Sequence, residues 1–588
     1  MNPAVPSAVR LGARIAAVAV LPLLGTVPIA AAAATTGSVV DLNNRPLAQA
    51  MVTLTRAQGA AGPTALTVFS DAQGQFAFPA SAPAGTLTVR RLGYAQVDGA
   101  VSTGAGPALL IMRANANDAG VAPASAWLAH VTDPQVREPI IDNCVGCHQL
   151  PAPEVRAYAK LIDDTPEDHS AGARSQVWEA IVQQMNYISA QEFSRAGGGP
   201  AAAGENVYSG GEPGPMAQRL ATALTGPLQE LEGYHYGAAL AVTPRTLIRE
   251  YEIPAPNAIR EAVTLDDPNV LWAADVSTNR VMRVDALTGA VRDFTIPGTA
   301  LLGPHTLVPG ADGLWVTAFF PGHMAHLDPH SGSWKIWALP PVNGHPVGVH
   351  DLSFDPNHQL ATDSRGRIWF SDIANNSLGW IDPSSGRTGS YPVPPVPGRV
   401  GGEQIYGLAM SADHRQLWYA QVGIGCFGSF DTEALRFGTH VVLPDRDSGP
   451  RRISISPDGV LYVALYGSGQ LAEYDTRTQH MVAIHDLPDR ASAPYSTTWD
   501  PRREVVWITT SNADVIYRFD PRSRVFSVLP MPRQRAFLRS VTVDPHSGEL
   551  VTSYANIVQH VRGPRMALLI DPGDAPAAAP TASAAGAP

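Results

Sequence analysis

Two of the three cysteines in the 588-residue chain stand in one short motif, Cys144-Val145-Gly146-Cys147-His148. Two thiols one helical turn apart can add to the two vinyl groups of haem, and a histidine directly after the second thiol can bind the iron. A thioredoxin-like pair would follow a βαβ pattern, and a zinc site would need a second pair of ligands; the sequence has neither. The motif predicts one covalent haem c, anchored by Cys144 and Cys147, with His148 as an iron ligand.

The sequence offers several residues for the other axial position of the iron. Met185 is our first choice, because it lies on a helical pattern that also carries Trp178. Met216, in the run Gly-Pro-Met, is the alternative sixth ligand, and His169, His235 or an open position remain. This part of the chain resembles a class I-like cytochrome c domain, and its Trp-x6-Met pattern is similar to that of several bacterial cytochromes fused to dehydrogenases.

From about residue 246 to 571 the sequence repeats a pair of residues that usually ends in an aromatic residue. The pairs are Leu271-Trp272, Leu314-Trp315, Ile368-Trp369, Leu417-Trp418, Leu461-Tyr462, Val506-Trp507 and Leu550-Val551. A period of roughly 40–50 residues with several strands per repeat is typical of β-propeller blades, so seven repeats predict seven blades. The preceding run, residues 248–254, is predicted to supply the outer strand that closes the ring.

One position of the repeat is occupied by a large polar residue in every copy. The innermost strand of a blade starts at the mouth of the central channel, so these side chains are expected to form one ring. Histidine and tyrosine can move protons, and arginine can hold an anionic group, so we assign candidate catalytic and substrate-binding roles respectively. The candidate catalytic residues are His305, His350, Tyr406 and Tyr495, and the candidate substrate-binding residues are Arg260, Arg452 and Arg539.

The alternative for this ring is a structural one. Polar, wet channels are common in propellers, and the ring residues could simply pair with nearby carboxylates. Glu261, Asp351 and Glu403 are the candidate partners.

The repeat contains the patterns Leu-Trp-x-x-Asp and Ile-Asp-x-x-x-Gly and strands that end in proline. In these patterns it resembles the streptogramin B (virginiamycin B) lyase family. The resemblance implies a propeller that opens a macrolactone by elimination, with a bound Mg²⁺, Pro-His pairs and a glutamate two residues before one histidine. Pro304-His305 matches one pair, and His350 lacks the proline. Gly303 and Gly348 stand where the glutamate is expected, which argues against a simple transfer of lyase activity. A lyase with Mg²⁺ is therefore the alternative and not the leading prediction.

The N-terminal part of the mature chain alternates short strands and turns, which predicts an Ig- or transthyretin-like β-sandwich. Three elements appear in order: Gly-Ser-Val-Val-Asp from Gly37, Asp-Ala-Gln-Gly-Gln-Phe from Asp71, and Gly93-Tyr94. They resemble the carboxypeptidase regulatory-like domain, which implies a non-catalytic spacer or docking unit.

The first 34 residues have the layout of a secretory signal. Arg10 and Arg14 precede an apolar run that ends in small residues at Ala34, so we expect a periplasmic or secreted protein with no transmembrane segment after cleavage. The 41 Lys and Arg against 52 Asp and Glu give a net charge of −11, which disfavours a nucleic-acid binder, because such a protein normally needs a basic face. Residues 572–588 are rich in Ala, Pro and Gly and are predicted to be disordered.

The sequence therefore predicts a multidomain, mainly β chain. Its predicted parts are the signal peptide (1–34), the sandwich (35–115), the helical cytochrome c domain (124–237), the propeller (246–571) and the tail (572–588). We expect a monohaem cytochrome that transfers electrons to a periplasmic redox partner protein or oxidises a small anionic or aromatic substrate. The alternatives are the lyase and a non-catalytic binding or redox-sensing module.

Overall fold

The computed structural model of the protein describes residues 35–101, 106–164, 170–195, 212–226, 228–254, 259–298, 301–319, 322–399, 401, 403–555 and 563–573. The predicted signal peptide, residues 574–588 of the predicted tail and His169 lie outside these residues. Within them the chain is mainly β and multidomain, as expected, and it has five α-helices. None of the described helices is long and apolar enough to cross a membrane.

The first unit is an Ig-like sandwich, in agreement with the prediction. One sheet has the order β4-β1-β7 and the other runs β3-β2-β5-β6. Val52, Leu54 and Leu87 are fully buried between the sheets, because successive side chains of a strand point to opposite faces. The strands are β1 Thr36–Asp41, β2 Met51–Arg56, β3 Ala65–Phe69, β4 Gln75–Ala77, β5 Gly85–Arg90, β6 Val97–Val101 and β7 Ala108–Met112.

Residues 118–231, which we call the helical segment, follow the sandwich. Asp133 caps α2, since its side chain accepts a hydrogen bond from the backbone of Gln135, and Pro134 occupies the first helical turn. The predicted helix around Trp178 lies within α4, where Trp178 and Val182 are buried. The helices are α1 Ser125–Leu128, α2 Pro134–Cys144, α3 Pro153–Asp164, α4 Ala171–Arg195 and α5 Pro213–Ala223.

The rest of the described chain is a propeller-like region built from seven successive four-stranded sheets, which we call blades 1 to 7. The predicted repeats fall one in each blade. Blades 1 to 3 contain β10 Ile259–Thr264, β11 Val270–Asp275, β12 Arg280–Asp285 and β13 Val291–Thr295; β14 Pro304–Gly310, β15 Gly313–Ala318, β16 His323–Leu327 and β17 Trp334–Ala338; β18 Val349–Leu352, β19 Ile368–Asp372, β20 Ser377–Ile381 and β21 Thr388–Pro392.

Blades 4 to 6 continue the same meander, and blade 6 gains a short parallel strand from the N-terminal side. That strand, β8, is Ala239–Leu240. The meander strands are β22 Gln404–Met410, β23 Gln416–Val422, β24 Cys426–Asp431 and β25 Arg436–Val442; β26 Pro450–Ile455, β27 Val460–Leu465, β28 Gln470–Asp475 and β29 His480–Asp486; β30 Pro494–Asp500, β31 Val505–Thr510, β32 Val515–Asp520 and β33 Val525–Pro530.

Blade 7 closes the ring with a strand from the start of the region, as the sequence predicts. It consists of β34 Leu538–Val543, β35 Leu550–Tyr554, β36 Met566–Asp571 and β9 Leu247–Glu252. The outer strand β9 pairs with β36 on one side and with β3 of the sandwich on the other. Blade 7 and one sandwich sheet therefore form a continuous eight-stranded sheet.

Candidate functional site

The first strands of the seven blades share one irregularity near their start. In each of them the register with the second strand shifts, so that two consecutive residues are left out of the regular pairing. Such a β-bulge bends a strand and redirects its side chains. The first bulge residues form what we call the upper ring: Arg260, His305, His350, Tyr406, Arg451, Tyr495 and Arg539.

The second bulge residues form what we call the lower ring. They are Glu261, Thr306, Asp351, Gly407, Arg452, Ser496 and Ser540. All of them except Gly407 line a cavity of about 50 Å³ inside the channel. At Gly407 a Cβ would lie only 2.5 Å from the carbonyl oxygen of Arg451, so this close approach of two blades requires glycine.

This arrangement corrects one sequence prediction. The structure brings six of the seven predicted ring residues together, but the member from blade 5 is Arg451, and Arg452 belongs to the lower ring. Two adjacent arginines cannot be ordered from sequence alone, because the bulge decides which of them occupies which level. Arg451 is the member of the upper ring that the sequence prediction missed.

Aromatic contacts hold the upper ring together. The imidazoles of His305 and His350 lie 4.5 Å apart between ring centres, and His350 lies 3.9 Å from the ring of Tyr406. The hydroxyls of Tyr406 and Tyr495 share a hydrogen bond. The Arg539 guanidinium lies 4.6 Å over the Tyr495 ring, in cation–π geometry.

Burial and positive charge keep both histidines of the upper ring neutral. Burial lowers the pKa of His305 well below its usual value, and the neighbouring His350 and the arginines lower it further. Burial likewise lowers the pKa of His350, with Arg452 as the next cause. Two neutral imidazoles can accept protons, which is the property that a general base requires.

The lower ring contains a buried ion-pair network. Carboxylate pairing is the structural alternative that the sequence offered for the ring residues, and two of the three candidate carboxylates pair in this way. Arg452 contacts Glu261, and its Nη2 lies 2.6 Å from an oxygen of Asp351. Burial raises the pKa of Asp351 to about 6, and the nearby Glu261 carboxylate also raises it. Glu403 instead accepts a hydrogen bond from the backbone of Gly401.

The helical segment covers the upper ring. Asp142 lies 3.5 Å from Arg451, and Arg539 donates to the carbonyl oxygen of Gly146 over 3.4 Å. Tyr406 and Tyr495 share one hydrophobic cluster with residues of the helical segment, including Val145. The mouth that we expected to be an opening is thus an interface between two parts of the chain.

Two polar residues of blade 6 fix the backbone that follows the cysteine motif. Asn512 accepts from the backbone nitrogen of Leu150 and donates to its oxygen, both over 2.9 Å. Asp514 accepts from the Gln149 side chain over 2.7 Å. All four residues are buried, so this connection is closed to competing water.

The cysteine motif has the donor set that a covalent haem needs. Cys144 ends α2, and neither Cys144 nor Cys147 is in a disulfide. The Nδ1 atom of His148 lies 2.9 Å from the carbonyl oxygen of Gln149. Because a carbonyl oxygen only accepts, Nδ1 must carry the proton, and the lone pair is then on Nε2, where a metal can bind.

The electrostatics of the motif differ from those of a catalytic dithiol. Burial raises the pKa of Cys144 to about 12, and Cys147 also raises it. A thioredoxin-like cysteine needs a lowered pKa to act as a thiolate. The protein environment therefore favours an uncharged thiol at Cys144.

The structure places the two candidate axial methionines differently. The Met185 side chain is 41 % exposed on α4, whereas Met216 is 2 % exposed and lies inside α5 rather than in a loop. His235 is exposed and accepts a hydrogen bond from the backbone of Gly237. Within the described ranges, no group of three or more His, Cys, Asp or Glu could hold a metal ion.

Two family models match parts of the chain. Residues 237–465 match the virginiamycin B lyase family, and residues 34–111 match the carboxypeptidase regulatory-like domain. The chain therefore contains a virginiamycin B lyase-like propeller region and a carboxypeptidase regulatory-like domain. No curated protein matches the chain.

Several solved structures are similar to the chain. A streptogramin B lyase has 16 % sequence identity and a TM-score of 0.46, and the match covers 55 % of this chain and 97 % of that one. The selenomethionine-substituted virginiamycin B lyase from Staphylococcus aureus has 16 % identity and a TM-score of 0.45, with 55 % and 99 % covered. A mitotic checkpoint complex chain has 15 % identity and a TM-score of 0.42, with 59 % and 96 % covered.

Proposed function

We propose that the protein is an exported, periplasmic or secreted, monohaem c-type cytochrome that transfers electrons to a redox partner protein. In this proposal Cys144 and Cys147 hold the haem, and His148 binds its iron through Nε2. When bound, haem c supplies one-electron redox chemistry. The propeller provides the surface on which the redox segment is held.

The observation that carries this proposal is the fixed orientation of His148. Its Nδ1 proton is directed at the Gln149 carbonyl oxygen, and the Gln149 side chain is in turn held by Asp514 of the propeller. A hydrogen bond at Nδ1 selects the tautomer and orients the ring for a metal at Nε2. The propeller thus supports the residue that would bind the iron.

The exposure of the motif supports the same role. Cys144, Cys147 and His148 are half-buried, whereas Val145 and Gly146 between them are buried. The buried residues pack against the propeller, so the thiols and the imidazole stay accessible to a group on the other side. Met185, which is exposed, and Met216, which is buried, stay alternatives for the other axial position.

Spectroscopy of the protein, produced in cells that attach haem c, tests the proposal. The α-band of covalent haem should be present, and the haem should stay with the polypeptide after denaturation. Cys144→Ser and Cys147→Ser should lose covalent haem, whereas Cys426→Ser should keep it, since Cys426 is buried in the propeller and lies outside the motif. A wild-type protein without covalent haem contradicts the proposal.

Spectra of methionine variants identify the other axial ligand. If Met185 binds the iron, Met185→Ala loses the charge-transfer band of methionine-bound ferric haem and Met216→Ala keeps it. The reverse pattern assigns Met216. A band that survives in both variants removes both methionines from the iron.

Lyase-like proton abstraction is a second candidate function, favoured by the adjacent neutral imidazoles of His305 and His350. In this proposal His350 removes a proton, Arg260 and Arg539 hold an anionic or aromatic substrate, and Mg²⁺ would be needed. The helical segment would have to separate from the upper ring to admit the substrate. Conversion of a cyclic depsipeptide with Mg²⁺, abolished in His350→Ala, would support it, and no conversion by the wild type would exclude it.

A further inference from the structure

The cavity below the upper ring has both polar and apolar walls. Hydroxyl groups and charged groups from several blades line it beside the apolar side chains of Val263, Leu307, Val308, Phe354, Ile453 and Val541. The hydroxyl-bearing lining residues are Thr306, Ser496, Thr497, Thr498, Ser540 and Thr542. The charged or titratable ones are Glu261, Asp351, His358 and Arg452.

Polar atoms of these lining residues lack a partner in the protein. Asp351 Oδ2, Ser540 Oγ, His358 Nε2 and Arg452 Nε are buried atoms without a hydrogen bond to another described residue. Buried polar atoms without protein partners are normally satisfied by ordered water. The cavity, at about 50 Å³, exceeds the roughly 10–15 Å³ that is needed to hold a water molecule.

Hydrogen bonds connect this cavity to the covered mouth. His305 Nδ1 lies 3.0 Å from Thr306 Oγ1, which donates to Asp351 over 3.1 Å. His350 Nδ1 lies 3.5 Å from the same Asp351 oxygen. Asp351 is therefore in reach of both the mouth histidines and the cavity.

The other end of the cavity lies near the opposite face of the propeller. His358 stands in the turn after β18, stacked on Phe354 at 4.6 Å. Backbone hydrogen bonds connect the chain around this turn to the ends of two neighbouring first strands. Leu360 donates to the carbonyl oxygen of Pro309 in β14, and Met410 in β22 donates to the carbonyl oxygen of Phe354. Because the mouth is at the start of those strands, half-buried His358 marks the far end.

We propose that the cavity is a water-filled proton path that joins solvent on the far face of the propeller to the covered mouth, with Asp351 as its proton-accepting group. The proton enters from solvent water at the His358 end and crosses the cavity on water and hydroxyl groups. It binds the Asp351 carboxylate, which lies beside the mouth histidines. This step moves only a proton: no electron is transferred, and only bonds to hydrogen form and break.

The proposal deepens the proposed function, on which its biological role rests. The helical segment closes the near side of the mouth, so a proton that reaches Asp351 needs another route. The pKa of Asp351, about 6, allows exchange near neutral pH. The charged groups that act on Asp351 are Arg452 on β26 and Glu261 on β10. His350 on β18 lies 3.5 Å from Asp351, and His358 lines the same cavity.

Time-resolved infrared spectroscopy after a pH jump tests the path. The carboxylic acid band that disappears in Asp351→Asn identifies Asp351 in the wild type. Ser540→Val and Thr542→Val, which each remove a cavity hydroxyl, should slow the appearance of this band by about tenfold or more, as expected when a proton-transfer group is lost. His358→Phe should also slow it, while the aromatic contact with Phe354 is kept.

The matched control is Ser523→Val, because Ser523 also has a hydroxyl without a protein partner but lies in an outer turn, away from the cavity. Its rate should equal that of the wild type. Equal rates in all variants that melt like the wild type would overturn the path, and so would an Asp351 band that does not change around pH 6. Haem content is measured on the same samples, so failure of the haem proposal is seen separately.

Discussion

The sandwich and the helical segment are both joined to the propeller, but by different kinds of contact. The sandwich joins by backbone pairing of β3 with β9, from Ala65 opposite Glu250 to Val68 opposite Leu247. The helical segment joins mainly through side chains such as Asn512 and Arg451. Backbone pairing tolerates many side chains, whereas side-chain docking depends on a few residues, so only the second attachment can be removed by single substitutions.

Arg451→Met should have the largest effect on the docking of the helical segment. It leaves the carboxyl of Asp142 without its cation, although burial already raises the pKa of Asp142. Breaking one side of a buried ion pair costs about 3–5 kcal/mol. Chemical unfolding measures this loss, and the double variant with Asp142→Asn should lose less than the two single variants together. Additive losses would contradict a direct interaction.

Asn512→Ala should separate the two attachments. It removes both hydrogen bonds to the Leu150 backbone and a third to Ala491, at a cost of about 2–4 kcal/mol for buried groups left unpaired. Hydrogen exchange should rise in residues 134–164 and stay unchanged in the β3–β9 pairing. Asn375→Ala is the control, because the Asn375 side chain donates within the propeller, to Pro346 and Asp372. A rise in both regions would mean that the attachments are coupled.

Raising the pH should loosen the helical segment and leave the sandwich in place. Burial raises the pKa of Glu138 to about 8, and its hydrogen bond with Asp445 raises it as well. Because the folded state holds the proton more tightly than the unfolded state, this contribution to stability is complete below the unfolded pKa of about 4.5 and is lost as the pH rises towards 8.

Limited proteolysis between pH 5 and 9 measures this loosening. Cleavage in the helical segment should increase with pH in the wild type and change less in Glu138→Gln, which cannot ionise. An equal increase in both proteins would assign the effect to another group.

Arg249→Ala should have the smallest effect. Arg249 lies on β9 and pairs with Glu549, and both side chains are partly exposed. The substitution should therefore lower the free energy of unfolding by about 1 kcal/mol or less. The backbone bonds between β3 and β9 do not involve this side chain. Thermal unfolding checks the value, and a loss as large as that of Arg451→Met would remove the distinction between the two attachments.

Much of the fold follows from local patterns. The Leu-Trp pairs predicted one strand in each blade, because a two-residue alternation and a fixed repeat length are properties of the strand itself. The closing strand β9 could be predicted from its similarity to the other outer strands. The pairing of β9 with the sandwich could not be predicted, because the sequence of an edge strand does not specify which other strand will pair with it.

The candidate site was predicted less completely. Histidine, tyrosine and arginine at one repeat position identified the ring. Which of Arg451 and Arg452 belongs to the upper ring depends on a β-bulge, and the pairing with the neighbouring strand sets the position of that bulge. The cover over the ring depends on Asp142, Gln149 and Leu150, which are ordinary residues next to a recognisable motif. Their partners are more than 300 residues away in the chain, so no local pattern could indicate them.

The sequence by itself determined the cysteine motif, the seven repeats and the residue types at the channel mouth, because each is a matter of spacing along the chain. Only the tertiary structure decided that the motif covers the mouth, that Asp351 lies between the mouth histidines and the cavity, and that the sandwich continues blade 7. These features depend on contacts between distant segments, which burial and hydrogen-bond pairing select after the local elements have formed.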